Sequence, residues 1–201
     1  MTALPKPVAT ITPEEYLEGE PFAEVRHEYV DGFVYAMAGA SDEHNRIVLN
    51  LSAELRAALR GKRCEPFTVD MKVKIPPVFA DAYYYPDVLV ACDPTDNAKY
   101  FRERPTVIFE VLSPETERSD RREKAIAYRQ IPTVQNYVLI EQDRLAVTVL
   151  HRAEPGWRKE ELAGPAAVLR LTCLGVELPF AAIYERTAAL PRPDQAGTIG
   201  A

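Results

Sequence analysis

The sequence of 201 residues contains no apolar run of the roughly 18 to 20 residues that a membrane-spanning helix needs. Its N-terminal segment, MTALPKPVATITPEEY, has one lysine and lacks the apolar core of a signal peptide. We therefore expect neither a membrane span nor a secretory leader, and the expected location is the cytoplasm.

Cysteine is also scarce. The three cysteines, Cys64, Cys92 and Cys173, lack the close spacing of a metal-binding motif. Their surroundings are apolar or strand-like, and a free cysteine in such surroundings usually behaves as a small hydrophobic residue. We therefore expect three buried free thiols, and neither a disulfide framework nor a zinc site.

Three catalytic or nucleotide-binding motifs are missing as well: GxSxG, GxxxxGK[ST] and GxGxxG. The hydrophobic and charged fractions, 47% and 27%, are typical of a soluble globular domain. We assign residues 12–187 to a single domain, residues 1–11 to a flexible arm and residues 188–201 to a disordered tail. The net charge of -6 argues against a surface that binds nucleic acid throughout, but it leaves room for a local basic groove.

Hydrophobic periodicity divides this domain into strands and helices. The runs VRHEYV and FVYAM flank Asp31-Gly32, a dipeptide typical of a hairpin turn. Further strands are expected at residues 67–75, 87–92, 106–112, 136–141, 145–151, 157–162 and 168–172. Helices are expected from residue 13 and over residues 42–60, 117–130 and 179–186. This order predicts an α/β or α+β fold, with one mixed β-sheet and helices on its faces.

Two carboxylates lie against apolar strands. Asp87 opens the segment PDVLVAC, and Glu110 interrupts VIFEVL. A carboxylate in a buried strand is costly unless it is paired or binds a metal ion. Because no thiol or histidine cluster lies nearby in sequence, the pair favours Mg²⁺ or Mn²⁺ over zinc.

The segment 117–130 supplies positive charge close to Glu110. Asp120, Lys124 and Tyr128 are spaced so that they share one face of a helix. Hydrolysis of a phosphodiester needs a metal ion to activate water, a cation to stabilise developing charge and arginines to hold the backbone. We expect Lys124 to be the catalytic cation, Asp120 to be an accessory acid, and Arg121 and Arg122 to bind substrate.

Three motifs resemble the PD-(D/E)XK nuclease superfamily and, more narrowly, the Uma-two (Uma2) family of restriction endonucleases. They are YPDVLV at 85–90, FEVLSP at 109–114 and DRREK at 120–124, followed by Tyr128. The segments EYVDG at 28–32, MAG at 37–39 and HNRI at 44–47 add to a resemblance that extends over residues 12–185. It implies a restriction-endonuclease-like mixed sheet flanked by helices, with Asp87 and Glu110 as ligands of Mg²⁺ or Mn²⁺.

The sequence departs from the superfamily at Leu112, where the pattern would place lysine. Some members supply the lysine from the following helix, which makes Lys124 the leading candidate and leaves Lys72 and Lys74 as weaker ones.

Several other residues have two interpretations. Glu43 and His44 form an accessory pair at the start of a helix, or Glu43 complements the helix dipole while His44 caps or packs. Glu28 points into the cleft or into solvent. The Tyr83-Tyr84-Tyr85 run could stack on bases, although packing in the core or at a sheet edge is favoured.

The first functional hypothesis is a Mg²⁺-dependent endonuclease that hydrolyses DNA phosphodiester bonds. We expect a homodimer, because a two-fold axis places two sites on opposite strands of a duplex. The alternative is a catalytically inactive nuclease-fold module that binds nucleic acid or a protein partner, as Leu112 suggests. A non-nuclease hydrolase or a structural dimer is the third interpretation. Metal affinity separates the first two hypotheses.

Overall fold

The computed structural model describes residues 10–68, 70–77 and 81–190. Residues 1–9 of the expected arm and 191–201 of the expected tail lie outside this part of the chain. None of the helices described here combines the length and the apolar character needed to cross a bilayer.

The strands and helices alternate along the chain. The helices are α1 Pro13–Gly19, α2 Asp42–Ala58, α3 Glu117–Ser119, α4 Ala125–Arg129 and α5 Phe180–Ile183. A 3₁₀ turn, Glu20–Phe22, follows α1, and a π-helical turn, Asp120–Lys124, joins α3 to α4. The strands are β1 His27–Val30, β2 Phe33–Ala36, β3 Glu65–Thr68, β4 Lys72–Ile75, β5 Ala82–Tyr84, β6 Val88–Ala91, β7 Phe101–Arg102, β8 Pro105–Leu112, β9 Asn136–Glu141, β10 Ala146–Arg152, β11 Trp157–Ala163, β12 Val168–Leu171 and β13 Val176–Pro179.

Local sequence signals account for several of these boundaries. The Thr12 hydroxyl accepts a hydrogen bond from the Glu15 N–H and caps α1, with Pro13 at the first helical position. Asp31 and Gly32 have φ values of 48° and 89°, as the tight turn between β1 and β2 requires. The predicted hairpin turn and the predicted start of the first helix are therefore confirmed.

Within the described part of the chain, the strands form sheets of six, five and two strands. The six-stranded sheet has the order β11-β10-β9-β8-β6-β3, in which β8 and β9 run parallel. The five-stranded sheet has the order β2-β1-β5-β4-β7, and β12 pairs with β13. The predicted mixed α+β class is confirmed, but the strands are divided among three sheets where the sequence suggested one.

One predicted strand is divided between two sheets. The expected strand at 67–75 is replaced by β3 and β4, which belong to different sheets. Asp70 lies between them with a φ of 69°, a left-handed conformation that ends an extended run.

The central strand β8 is covered on both faces. Helix α2 covers one face, and the helical segment 117–129 lies over the other. Residues from α2 and β8 in the first core include Ile47, Leu51, Leu55, Val107, Phe109 and Val111, while the second includes Ile108, Leu112, Ala125 and Tyr128. Because side chains alternate along a strand, Glu110 lies on the side of the helical segment 117–129.

The cysteines depart from the expectation of three buried free thiols. Cys64 and Cys92 form a disulfide, and Cys173 is exposed. The pairing of β3 with β6 aligns Glu65 with Ala91, and this register brings the two flanking cysteines together. Their separation of 28 residues gave no sequence signal for this contact.

Candidate active site

Asp87 and Glu110 are neighbours on adjacent antiparallel strands. The register of β6 and β8 aligns Val88 with Phe109, which places Asp87 opposite Glu110. The Asp87 N–H donates to Glu110 Oε2 over 3.3 Å, and Asp87 Oδ2 accepts from the Val111 N–H over 2.7 Å. The structure therefore brings together the two carboxylates that the sequence singled out as metal ligands.

Lys124 extends from the π-helical turn into a group of carboxylates. Its Nζ lies 2.9 Å from Glu28 Oε1, 3.3 Å from Asp120 Oδ1 and 3.4 Å from Glu110 Oε1. Leu112, at the position of the superfamily lysine, is buried in the core. The ammonium group of this centre thus comes from the helical segment, as the sequence predicted.

Two buried tyrosines fix this arrangement. The Tyr128 hydroxyl donates to Glu110 Oε1 over 3.1 Å, and the Tyr137 hydroxyl donates to the backbone oxygen of Asp120 over 2.9 Å. Tyr128 therefore orients one carboxylate, and Tyr137 holds the π-helical turn that carries both Asp120 and Lys124. Such turns often occur at functional sites.

Burial and mutual repulsion govern the charges of this group. Burial raises the pKa of Glu110 well above its usual value, and the carboxylates of Asp120 and Asp87 add to the effect of burial while Lys124 opposes it. Burial also raises the pKa of Asp120. Burial alone would lower the pKa of Lys124, but its three carboxylate neighbours outweigh this effect and hold the pKa well above its usual value. Lys124 is consequently an ammonium ion.

The donor set fits a hard divalent cation. Asp120 Oδ1 is buried and accepts no hydrogen bond from the described residues, although Lys124 Nζ is close by. Within residues 10–68, 70–77 and 81–190, no three or more His, Cys, Asp or Glu side chains form a ready group of metal ligands. Mg²⁺ is commonly bound through one or two carboxylates and keeps several waters, so the adjacent pair Asp87 and Glu110 suits it.

His44 joins this centre and Glu43 does not. His44 Nε2 lies 3.2 Å from Asp87 Oδ2, while the His44 N–H donates to the Ser41 hydroxyl at the start of α2. Burial lowers the pKa of His44, but the bond to Asp87 and the Asp87 charge outweigh burial and raise it. Glu43 Oε2 accepts from the Ala188 N–H over 2.9 Å, away from these contacts.

The remaining candidates lie at different distances from the centre. Arg121 pairs with Glu117 and Glu141, whereas Arg122 is exposed.

Lys74 pairs with Glu103 over 2.8 Å at the surface, and Lys72 is buried with its Nζ 4.9 Å from the centre of the Tyr85 ring. Neither Lys72 nor Lys74 has a contact with Glu110 among the bonds of the described residues. Tyr83, Tyr84 and Tyr85 are all buried, in agreement with the favoured packing role.

Glu28 is the acid whose place the sequence left undecided. Its carboxylate pairs with Lys124 and also accepts the Tyr85 N–H over 3.2 Å. Strand alternation alone allowed either face, and only the pairing of β1 with β5 decides between them. Tyr137 gave no sequence signal beyond its position in an apolar strand.

The free energy of unfolding of the metal-free protein is expected to fall as pH rises above the ordinary Glu pKa of 4.5. Glu110 binds its proton more tightly in the folded protein than in the unfolded chain. The bound proton therefore stabilises the folded state fully below pH 4.5, and this stabilisation is lost as the pH rises through the raised pKa. One such proton changes stability by at most about 1.4 kcal/mol per pH unit. Urea unfolding in a chelator at several pH values measures the slope. Glu110→Gln, which cannot titrate, should reduce it, and an equal slope in both proteins would contradict this explanation.

The chain is similar in sequence and in fold to several known proteins. The family model of Uma2, described as "Putative restriction endonuclease", matches residues 13–181. Two proteins of Synechocystis sp. are similar in sequence, and both are named only as uncharacterized. The protein slr1290 is 38% identical over 151 residues, which are 75% of this chain and 78% of that protein. The protein sll1609 is 34% identical over 172 residues, which are 83% of this chain and 95% of that protein.

A solved structure shares the fold. It is the crystal structure of "a putative nuclease belonging to DUF820" from Anabaena variabilis, with a TM-score of 0.70 and 18% sequence identity. The alignment covers 87% of this chain and 97% of that one. The matched span also agrees with residues 12–185, over which the sequence motifs showed their resemblance. The chain therefore belongs to the Uma2 family.

Proposed function

We propose that this chain is an endonuclease that hydrolyses phosphodiester bonds of DNA with Mg²⁺ or Mn²⁺. The observation that carries the proposal is the buried ammonium of Lys124 among the carboxylates of Glu28, Glu110 and Asp120, with Asp87 opposite Glu110. The family description and the solved relative, itself described as a putative nuclease, support the same class of reaction.

Each group in the proposed centre has a separate role. Asp87 and Glu110 would hold the divalent cation, which when bound would supply an activated water and positive charge beside the phosphate. The Val111 N–H and His44 orient the Asp87 carboxylate. Lys124 offers a fixed positive charge for the negative charge that develops on the phosphate, in a site where few waters compete.

The substrate is proposed to lie along the basic side of the helical segment. Arg122 is exposed and free to contact the phosphate backbone, whereas Arg121 would have to exchange a carboxylate partner for a phosphate. We also propose a homodimer, in which a two-fold axis would give each of two DNA strands its own centre.

The position of Lys124 favours an enzyme over a binding module. The binding module was suggested by Leu112, where the superfamily pattern has lysine. Lys124 provides the same charge from the helical segment, in contact with Glu110. A module that only binds would also gain nothing from burying Glu110 and Asp120 beside one ammonium, because charge burial without a compensating ligand costs stability.

Nicking of supercoiled plasmid by the pure protein tests the proposal. Cleavage is expected in Mg²⁺ or Mn²⁺, with none in chelator, and Asp87→Asn should lower the rate by at least about a hundredfold. Asp93→Asn is the matched control, because Asp93 lies beyond the other end of β6 and pairs with Arg104 at the surface. Cleavage that persists in chelator, or that survives Asp87→Asn, would refute the proposed function.

A further inference from the structure

The edge of the five-stranded sheet exposes two large side chains beside the proposed centre. Strand β2 lies at one edge of this sheet, and β7 lies at the other. Tyr35 on β2 is 55% exposed, and Met37, just past its end, is 39% exposed. We refer to Tyr35 and Met37 together as the Tyr35 shelf.

Strand register places the shelf next to Glu28. Tyr35 pairs directly with Glu28 across β1 and β2, so their side chains share a face with Cβ atoms about 4.5 to 5.5 Å apart. Met37 is two residues beyond Tyr35, and its N–H donates a hydrogen bond to the backbone oxygen of Arg26. This bond extends the pairing of β1 with β2, so Met37 lies on the same face as Tyr35 and Glu28. The shelf is therefore an outward continuation of the face that carries Glu28.

The same row of side chains runs inward to Lys124. The pairing of Tyr29 with Tyr83 puts Tyr84 on the far side of Glu28 from Tyr35. The Tyr84 ring centre lies 5.8 Å from Lys124 Nζ. The row Tyr35, Glu28, Tyr84 thus begins in solvent and ends under the helical segment, which makes the shelf part of the approach to the proposed centre.

We propose that the Tyr35 shelf stacks against an unpaired base of single-stranded DNA beside the phosphodiester that is cut. This inference rests on the proposed function and narrows its substrate. An aromatic ring stacks on any base whose face is free, without sequence preference. Bases inside a duplex are already stacked on both faces, so the shelf selects a strand whose bases are unpaired, including one that opens locally in a supercoiled plasmid, over an intact duplex.

A second copy of this chain is a less suitable partner for the Tyr35 shelf than a DNA strand. A subunit interface centred on the shelf would also enclose Glu28, whose side chain is 17% exposed and already shares Lys124 with two other carboxylates. Removing the remaining water from this group would raise the cost of its charges. A single DNA strand is narrower than a subunit and would leave more of this edge in contact with water.

Binding in chelator tests the shelf independently of cleavage. Fluorescence anisotropy would compare a labelled single strand of about 12 nucleotides with the matching duplex. Tyr35→Ala is expected to weaken single-strand binding about tenfold and to change duplex binding by less than about twofold. Tyr35→Phe, which keeps the ring, should bind as the wild type does. Leu49→Ala is the control, because Leu49 is 65% exposed on α2 and lies outside this row.

The outcomes separate the shelf from the catalytic proposal. Equal losses on single strand and duplex, a loss with Tyr35→Phe as large as with Tyr35→Ala, or no single-strand binding by the wild type would each overturn the shelf. Light scattering that shows Tyr35→Ala converting a dimer to a monomer would overturn it too, because the shelf would then be a subunit interface. An absence of metal-dependent cleavage would defeat the proposed function while the anisotropy comparison still decides on the shelf.

Discussion

Replacing Lys124 with methionine is expected to lower the free energy of unfolding of the metal-free protein by about 3 to 5 kcal/mol. The change removes the single ammonium that three buried or half-buried carboxylates share, and it leaves Glu28, Glu110 and Asp120 to repel one another. Unfolding in urea, followed by circular dichroism at neutral pH, measures the loss.

The matched control for this loss is Lys74→Met. Lys74 pairs with Glu103 in a surface ion pair of nearly the same length, 2.8 Å. Surface pairs contribute roughly 0 to 1 kcal/mol, so this variant should stay close to the wild type. If the two variants lost similar amounts of stability, Lys124 would not be the charge that balances the buried acids.

Adding Mn²⁺ is expected to stabilise the wild type strongly. A ligand that binds only the folded state contributes about 2.7 kcal/mol at a concentration one hundred times its Kd. The gain should be larger at pH 8 than at pH 5, because burial raises the pKa of Glu110 and protons therefore compete with the cation for this carboxylate. Thermal unfolding across a Mn²⁺ titration, with Mg²⁺ in parallel, measures it.

A variant of one proposed ligand and a control variant define the origin of this stabilisation. Asp87→Asn should weaken the midpoint of the Mn²⁺ titration by at least about tenfold, and Asp93→Asn should leave it unchanged. A Mn²⁺ effect that is the same in both variants would show that the cation binds elsewhere. Calorimetry of the same proteins would give the affinities directly.

Short-range patterns in the sequence singled out several of the residues that the structure brings together. Asp87 and Glu110 stood out because each interrupts or borders an apolar strand, and the antiparallel pairing of β6 with β8 makes them neighbours. The spacing of Asp120, Lys124 and Tyr128 indicated one helical face. That prediction survives the π-helical turn, since all three side chains are buried on the side of Glu110.

Contacts that depend on the pairing of distant strands could not be predicted from the sequence. Glu28 and the Cys64–Cys92 disulfide depend on which strands pair and in which register, and neither follows from local periodicity. The division into three sheets has the same origin. It follows from the left-handed conformation of Asp70 and from short strands such as β5 and β7, which are too brief to show a pattern of their own.

We propose that Asp87, Glu110 and Lys124 form a metal-dependent centre for phosphodiester hydrolysis. The most direct test is the rate of plasmid nicking at saturating Mn²⁺ by the wild type and by Glu110→Gln, both shown to be folded. Glu110→Gln suits this test because the amide relieves buried charge without leaving a cavity. We predict Mn²⁺-dependent nicking by the wild type and a rate at least about a hundredfold lower for Glu110→Gln. Equal rates in the two proteins, or no nicking by the wild type in either metal, would contradict it.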